Sequence, residues 1–510
     1  MNQFMNPVIK GFAPDPSVCA VGEDYYLVNS TFAYFPGIPI YHSKDLVNWT
    51  QIGNVLDRKE QLDLQDVEVS EGVFAPTIRY HECLFYVITT NLPHGGNFVV
   101  TAKSPSGPWS NPYYLTDAQG IDPSLFFDED GTCYYVGMRS NLSGERYPGD
   151  TEIWIQQFDP QLMKLIGVST TIYKGAFKEA KWPEGPHLYK REGFYYLLIA
   201  EGGTEFHHSI SIARSEKIDG WYMSCPNNPI LTHRHLGSFY PIQNAGHGDM
   251  VETSSGKWFL VCLASRMLEG KSNLGRETFL AKINWENGWP VVNLGEGKLL
   301  IEQQHSLPLY PTEEKTSYIL DQDDPAFLYL KNPDLAYYDR YSREGWIRLY
   351  PSETKIDSKI GSPTYLAIRQ RSTDYELSTR VQVNLKTDEE AGILLFLDHL
   401  NSLRLTIYRL EDQLIAQMAL TENGEETYLG SRTLDSNECI LKIKGTGQKL
   451  TGIVSVGNQD YVVADQIDTH FLSTEEAGGF VGCTHGIYCV SPHRQTGYAD
   501  FNWLNIIDND

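Results

Sequence analysis

Three carboxylic acids occupy similar settings in the sequence, each beside a proline at the start of a strand-like run. Asp15 lies between two prolines in FAPDPS, Asp122 precedes a proline in IDPS, and Glu184 follows one in WPEGP. Proline restricts its own backbone and that of the residue before it, so each acid has a stiff support. Two such groups on either side of a sugar are the minimum needed to cleave a glycosidic bond. A lone Asp-Pro pair is more often an ordinary turn, so this chemistry requires that the acids meet in space.

The elements that would position these acids form a repeat. Five segments share a two-residue corner, a short apolar strand, a polar turn and an aromatic-rich strand, and they begin at Asp15, Ala75, Asp122, Gly185 and Gly248. These starts are 60, 47, 63 and 63 residues apart, and a second hairpin such as NFVVTAKSPSGPWS follows the first. This spacing is typical of four-stranded propeller blades with loop insertions. We therefore predict a five-bladed β-propeller over residues 1–305.

A propeller would bring the three acids together. The first strand of each blade lines the central channel, so equivalent positions in different repeats face one mouth. Asp15 and Asp122 open the first and third repeats at the same register, and Glu184 comes one residue before Gly185 in the fourth. A third carboxylate near a catalytic acid would raise its proton affinity through like-charge repulsion. The alternative is that these carboxylates only accept backbone N–H bonds in turns.

The C-terminal part of the chain has a different pattern. Residues 306–324 form a predicted linker, and short alternating strands such as SLRLTIYRL and GILLFLDHL follow with turn residues between them. The number of strands predicts a β-sandwich over residues 325–510. No convincing long amphipathic helix is visible, so we predict an all-β protein.

Composition restricts the partners and the compartment. The formal net charge of −24 disfavours nucleic acid and anionic membranes, because both require clustered Lys and Arg, and it leaves a neutral substrate as the simplest partner. The N-terminus shows no secretory signal and no apolar run is long enough for a membrane span, so we expect a cytoplasmic location. The eight cysteines lack metal-ligand spacing and are expected to be reduced. The sequence leaves the oligomeric state open, and a homo-oligomer is one option.

Several motifs together resemble those of glycoside hydrolase family 43. They include FAPDPSV, GVFAPTIRY, GIDPSLFFDEDG, WPEGPHLY, GHGDMVET and LGRETF in the first part, and YADFNWLNI near the C-terminus. The match covers nearly the whole chain. Within this family, the chain resembles the branch of β-xylosidases and α-L-arabinofuranosidases that carry a C-terminal sandwich. The resemblance implies a five-bladed propeller followed by a concanavalin-like jelly roll.

The resemblance also implies an activity and roles for four residues. The activity is exo-acting, inverting release of terminal β-D-xylosyl or α-L-arabinofuranosyl units from xylan- or arabinoxylan-derived oligosaccharides. By motif, Asp15 would be the general base that activates water and Glu184 the general acid. Asp122 would tune the pKa and orientation of Glu184. Arg276 in LGRET resembles the arginine that binds sugar hydroxyls, although a surface salt bridge would be its default role.

Further residues take expected places in the pocket. Phe32 and Phe74 match wall positions of the family, where Trp often stands instead of Phe74, and either could be blade core. His247 in GHGD should face the channel, and a calcium ion near it is an option that the resemblance leaves open. No cofactor is required, and no metal ligands are assigned. Residues 483–494 of the sandwich are the candidate loop for closing the pocket.

Two other functional classes compete with a glycosidase of this family. A non-catalytic sugar-binding propeller would bind ligand without forming product, but such a protein would usually have lost one of the three acids. A retaining fructan-cleaving enzyme would carry NDPNG, RDP and EC motifs, and none of these is present. The sequence leaves the preference between xylose and arabinofuranose open, together with linkage and chain length.

Overall fold

Antiparallel strands make up nearly all of the molecule in a computed structural model that describes residues 2–493 and 497–509. Within these residues the only α-helix is the single turn Thr474–Ala477, far short of a membrane span. Three short 3₁₀ turns complete the helical content of the described chain: Arg234–Leu236, Leu335–Tyr337 and His470–Leu472. The predicted all-β class is confirmed.

Five antiparallel sheets form the blades of the propeller. The first two blades contain the strands Ser17–Val21, Asp24–Val28, Gly37–Ser43 and Thr50–Leu56, then Thr77–His81, Leu84–Leu92, Gly96–Ala102 and Tyr113–Tyr114, with Gly72–Val73 also paired in blade 2. Blade 3 contains Ser124–Phe127, Cys133–Ser140, Thr151–Asp159 and Lys164–Tyr173. Blade 4 contains Glu184–Arg191, Phe194–Glu201, Ser209–Ser215 and Met223–Ser224. Blade 5 contains Ile242–Glu252, Trp258–Arg266, Glu277–Glu286 and Trp289–Val292. The five-bladed propeller predicted from the repeat is confirmed.

The ends of the propeller chain meet beside blades 1 and 5. Asn2–Met5 pairs antiparallel with Glu302–His305. The Asn6 side chain donates to the carbonyls of Leu280 and Leu300 at 3.0 and 2.9 Å, and it accepts from the Leu280 amide. These bonds tie the first residues to the last blade, so the ring is closed without a strand shared between blades.

A buried polar network crosses the propeller channel below the mouth. The Asp249 carboxylate of blade 5 accepts hydrogen bonds from Ser17 of blade 1 and from Arg79 of blade 2, both at 2.7 Å. It also accepts from the Tyr189 hydroxyl of blade 4, and Arg79 lies 2.9 Å from His187 Nδ1 of the same blade. Although burial opposes ionisation, the charge of Arg79 holds the pKa of Asp249 well below its usual range. The ion pair between Arg79 and Asp249, together with its hydrogen-bond partners, therefore links four of the five blades.

The C-terminal domain is a sandwich of two large antiparallel sheets. One contains Ser317–Ile319, Tyr338–Asp339, Ile347–Leu349, Tyr498–Asp508, Tyr375–Asn384, Glu438–Thr446, Lys449–Val456 and Gln459–Asp468. The other contains Glu425–Leu434, Gln413–Glu422, Asn401–Leu410, Glu390–Asp398, Thr484–Val490, Thr364–Arg369 and Leu328–Leu330. The predicted sandwich is thereby confirmed, and its strand Ser317–Ile319 lies within the segment predicted as a linker.

The two domains share a sheet and a core. Tyr34–Phe35, an excursion from blade 1, pairs with Leu328–Leu330 and becomes an edge strand of the sandwich. The amide of Lys331 donates to the Ala33 carbonyl at 2.7 Å beside this pairing. One cluster of buried apolar side chains continues from blades 1 and 2 into the sandwich. The propeller and sandwich are therefore packed as one body at this side.

Breaking the ion pair across the channel should destabilise the protein. We expect Arg79→Met to lower the free energy of unfolding by about 3–5 kcal/mol, because Asp249 would keep a buried charge without its cation. Urea denaturation followed by tryptophan fluorescence measures this loss. Arg380→Met is the matched control, since its partly exposed pair with Glu438 should contribute less than about 1 kcal/mol. Equal, small losses in both variants would contradict the importance assigned to the network.

Candidate active site

A cavity of about 420 Å³ lies at the mouth of the propeller channel. The seven residues singled out from the sequence all line it: Asp15, Asp122, Glu184, Arg276, His247, Phe32 and Phe74. They come from blades 1 to 5, so the ring brings together side chains that are up to 261 residues apart in sequence. A volume of this size falls within the range of small-molecule sites.

The prolines beside the three acids are anchored by neighbouring strands. In each case the proline carbonyl accepts a side-chain hydrogen bond of 2.8–3.0 Å, and the pairs are Asn29 with Pro14, Thr77 with Pro123, and Thr151 with Pro183. Asp15 and Asp122 have positive φ values of 52° and 53°. Non-glycine residues rarely adopt this left-handed conformation, so the surrounding contacts hold both acids in a specific orientation.

Asp15 lies in an environment that favours its ionised form. The Ser30 hydroxyl donates to its Oδ2 at 2.6 Å, and Arg276 Nη1 lies 3.2 Å from its Oδ1. His247 Nδ1 is 3.9 Å from the same oxygen. Burial alone would raise the pKa of Asp15, but Arg276, His247 and the Ser30 hydrogen bond together lower it below its usual value. Asp15 is therefore an ionised carboxylate over the neutral pH range.

Glu184 and Asp122 lie in environments that favour their protonated forms. Burial, followed by the negative charge of Asp15, raises the pKa of Glu184 to about 8, against the opposing effect of Arg276. Burial and the charges of Glu184 and Asp15 also raise the pKa of Asp122 well above its usual range. The cavity thus combines one ionised acid with acids that keep a proton at neutral pH.

His247 packs under the acids as a buried imidazole. Burial lowers its pKa, although the charge of Asp15 acts in the other direction. A Cβ atom on Gly185, which has a φ of 56°, would come 2.8 Å from the His247 ring, so glycine is required there. Calcium prefers six to eight oxygen ligands. Within the described residues no group of three or more His, Cys, Asp or Glu side chains could hold a metal ion.

Aromatic rings enclose the side of the cavity near Asp15. Phe32 packs against Phe74 and Phe480, with ring centroids 5.3 and 5.9 Å apart. The guanidinium of Arg276 lies 5.7 Å from the ring centroids of both Phe32 and Phe480. Arg276 Nη2 also donates to the Phe480 carbonyl at 3.0 Å. Phe480 belongs to the sandwich domain, so both domains build this wall.

The sandwich reaches the cavity through a segment other than the one expected. Residues 483–494 were the candidate closing loop, but Thr484–Val490 is a buried strand of the sandwich sheet, and Arg494 lies outside the described residues. None of the described residues in that stretch lines the cavity, whereas Phe480 just before it does. The Phe480 amide donates to Ser70 Oγ at 2.9 Å, which fixes the segment to the connection that leads into blade 2.

Sequence reasoning missed several residues of the cavity. Thr204 and His208 line it and Ser30 contacts Asp15 behind it, and all three are small or buried polar groups that were not singled out as site residues. Trp182 stands in the quoted WPEGP motif only two residues before Glu184, and this proximity was a usable signal. Phe480 had none, because it comes from another domain and a segment without periodicity.

Comparisons with known proteins agree with this geometry. Residues 4–290 match glycosyl hydrolases family 43, and residues 321–506 match the β-xylosidase C-terminal concanavalin A-like domain. A Butyrivibrio fibrisolvens protein named xylosidase/arabinosidase is 46% identical, with 98% of both chains covered. A Bacteroides ovatus non-reducing end α-L-arabinofuranosidase is 34% identical, with 98% of this chain and 94% of the relative covered.

Solved structures show the same architecture. The crystal structure of a xylan β-1,4-xylosidase from Bacillus halodurans superposes with a TM-score of 0.93 at 33% identity. The alignment covers 99% of this chain and 100% of that one. With both domains matched in sequence and in three dimensions, the chain belongs to glycosyl hydrolases family 43.

Proposed function

We propose that this protein is an exo-acting, inverting glycosidase that releases terminal β-D-xylosyl or α-L-arabinofuranosyl units from xylan-derived oligosaccharides. The observation that carries the proposal is the pairing of Asp15, with a lowered pKa, and Glu184, with a raised pKa, in one cavity. General acid–base hydrolysis requires one ionised and one protonated carboxyl group at the same pH.

Each acid has a defined step in the proposed mechanism. Glu184 donates its proton to the glycosidic oxygen as the bond from that oxygen to the anomeric carbon breaks. Asp15 accepts a proton from a water molecule whose oxygen attacks the opposite face of the anomeric carbon. The products are the free sugar, now inverted at that carbon, and the leaving-group alcohol. Asp122 tunes the pKa and orientation of Glu184 in this proposal, and the charge interaction between the two acids, which contributes to the raised pKa of Asp122, supports this role.

Arg276 has a broader role in this proposal than binding sugar hydroxyls. Its Nη1 donates to Asp15 and to Thr204 Oγ1, at 3.2 and 2.8 Å, while Nη2 holds the Phe480 carbonyl. It therefore orients the general base and joins the sandwich to the site. The net charge of −24 and the cavity's mixed aromatic and acidic lining support a neutral sugar as ligand.

The wall formed by Phe32 and Phe480 supports attack at chain ends, because a cavity enclosed on one side accommodates a terminal sugar better than the middle of a chain. The names of the relatives support both xylose and arabinofuranose as the released unit. The eight free cysteines, all among the described residues, support a reducing compartment in keeping with the expected cytoplasmic location. Cell fractionation tests that location.

The loss of activity on replacing each catalytic acid should depend differently on the leaving group of the substrate. We expect Asp15→Ala to lower kcat/KM by about 10²–10⁴-fold for both 4-nitrophenyl glycosides and pentose disaccharides. Glu184→Ala should cause a similar loss for the disaccharides but a smaller one for the nitrophenyl glycosides, because nitrophenolate leaves without full protonation. Assays with β-xylosides and α-arabinofuranosides also identify the preferred sugar.

The control for these variants is Glu192→Ala, an exposed acid just after the strand Glu184–Arg191. It should retain wild-type activity. Undiminished turnover in Asp15→Ala and Glu184→Ala would end the proposal, and sugar binding without hydrolysis by the wild type would favour a non-catalytic propeller.

The pH dependence should follow the two carboxyl groups. Activity should rise as Asp15 ionises at acidic pH and fall near pH 8 as Glu184 loses its proton. Ser30→Ala removes a hydrogen bond to the ionised form of Asp15, so the acid limb should move to higher pH by about one unit or less. The alkaline limb should stay in place. Profiles of kcat/KM measure both limbs, and a fixed acid limb in Ser30→Ala would contradict this role for Ser30.

The stereochemistry of the product tests the direct displacement. For a β-xyloside substrate, we expect α-xylose as the first product, because water attacks the face opposite to the departing oxygen. Proton NMR during the first minutes of reaction distinguishes the anomers before mutarotation. Initial formation of β-xylose would mean a covalent intermediate and would remove the general-base role from Asp15.

A further inference from the structure

The segment before Glu184 runs from the solvent into the cavity. Trp182 is 40% exposed and lines the same cavity as the acids, Glu184 is partly buried, and Asp122 and Asp15 are only 7% and 5% exposed. Pro183, between Trp182 and Glu184, is buried, and its carbonyl is held by Thr151. The order from the opening inward is therefore Trp182, then Glu184, then Asp15.

The Trp182 side chain has a fixed position. Its backbone adopts a φ of 48°, and its amide donates to the Gly149 carbonyl at 2.8 Å. The Lys181 carbonyl accepts from the Gly202 amide at the same distance. A left-handed backbone is costly for a tryptophan, so these bonds to the neighbouring segments hold it in place.

Two glycines make room for the indole. A Cβ atom on Gly149 would come 2.8 Å from Trp182 Cε2, and one on Gly203 would come 3.0 Å from Cε3. Any side chain at either position would therefore push the ring out of its place. The loop of blade 3 that contains Gly149 and the loop of blade 4 that contains Gly203 together form a slot for this one ring.

The position of Trp182 relative to the acids decides which sugar it meets. Arg276 contacts Asp15, the group assigned to the attacking water, and the rings of Phe32 and Phe480 pack against Arg276. Glu184 must face the oxygen that joins the bound sugar to the leaving group. The leaving group then lies on the solvent side of Glu184, where Trp182 is the exposed ring.

We propose that Trp182 is the platform on which the first sugar of the leaving group stacks, and that it makes the enzyme prefer oligosaccharides over simple glycosides. The inference rests on the proposed glycosidase function. An exposed, rigid indole offers an apolar face to the C–H face of a sugar ring. Trp182 therefore contributes to binding only when the leaving group carries a sugar ring.

The test compares two substrates that differ only in the size of the leaving group. Xylobiose and methyl β-xyloside, or the corresponding arabinofuranosides, both require protonation of an alkoxide, but only the disaccharide presents a sugar to Trp182. We expect Trp182→Ala to lower kcat/KM for the disaccharide by roughly 10- to 100-fold. For the methyl glycoside the change should stay within about threefold, and Trp182→Phe should recover part of the disaccharide activity.

Two further measurements separate stacking on Trp182 from an effect on Glu184 and from the general loss of an indole. The alkaline limb of the pH profile should be unchanged in Trp182→Phe, because this variant keeps an apolar ring beside Glu184 and so preserves the burial that raises its pKa. Trp221→Ala, which removes a 70% exposed tryptophan that does not line the cavity, should leave both substrates unaffected.

Equal losses on both substrates, or a shifted alkaline limb, would show that Trp182 acts by positioning Glu184, and unchanged kinetics would remove it from the site. Either result overturns the inference while leaving the glycosidase assignment intact. Failure of the wild type to cleave either substrate would instead refute the proposed function.

Discussion

The ion pair between Arg79 and Asp249 is the interaction on which the geometry of the site depends. Propeller blades are separate sheets, and the backbone hydrogen bonds that join neighbouring blades are isolated ones, such as those between Phe32 and Val73. A fully buried Asp249 carboxylate must be matched by cations and donors. The first strands of four blades supply these groups and are held in one arrangement. Asp15 and Glu184 lie at the start of two of these strands, and Asp122 precedes the first strand of blade 3.

The site uses this frame to give similar groups opposite properties. Asp15 and Glu184 are carboxyl groups in one cavity, yet Asp15 has Arg276 and Ser30 as direct partners, whereas desolvation and the charge of Asp15 dominate at Glu184. The same ionised base that would activate water thus keeps the acid protonated. Arg276 connects this electrostatic arrangement to the aromatic wall through Phe480, so one side chain contributes to both the charge and the shape of the cavity.

The sequence predicted those features that repeat. Five strand pairs at nearly constant internal spacing indicated the propeller, and matching registers placed Asp15 and Asp122 at one mouth. The two-residue strand Tyr34–Phe35 has no periodicity to detect, and its partner is nearly 300 residues away. Phe480 likewise reaches the cavity only because the sandwich docks on blades 1 and 2. Contacts of this kind depend on tertiary packing and leave no local pattern.

The strand exchanged at the domain boundary affects how this architecture can be rearranged. Because Tyr34–Phe35 completes a sheet of the sandwich, removal of the sandwich would leave an unpaired segment and an uncovered apolar face on blade 1. The sandwich in turn would expose the edge of Leu328–Leu330. The C-terminal region is therefore not a detachable appendage of the kind that recombination can exchange freely. Chimeras between relatives should keep both domains from one parent.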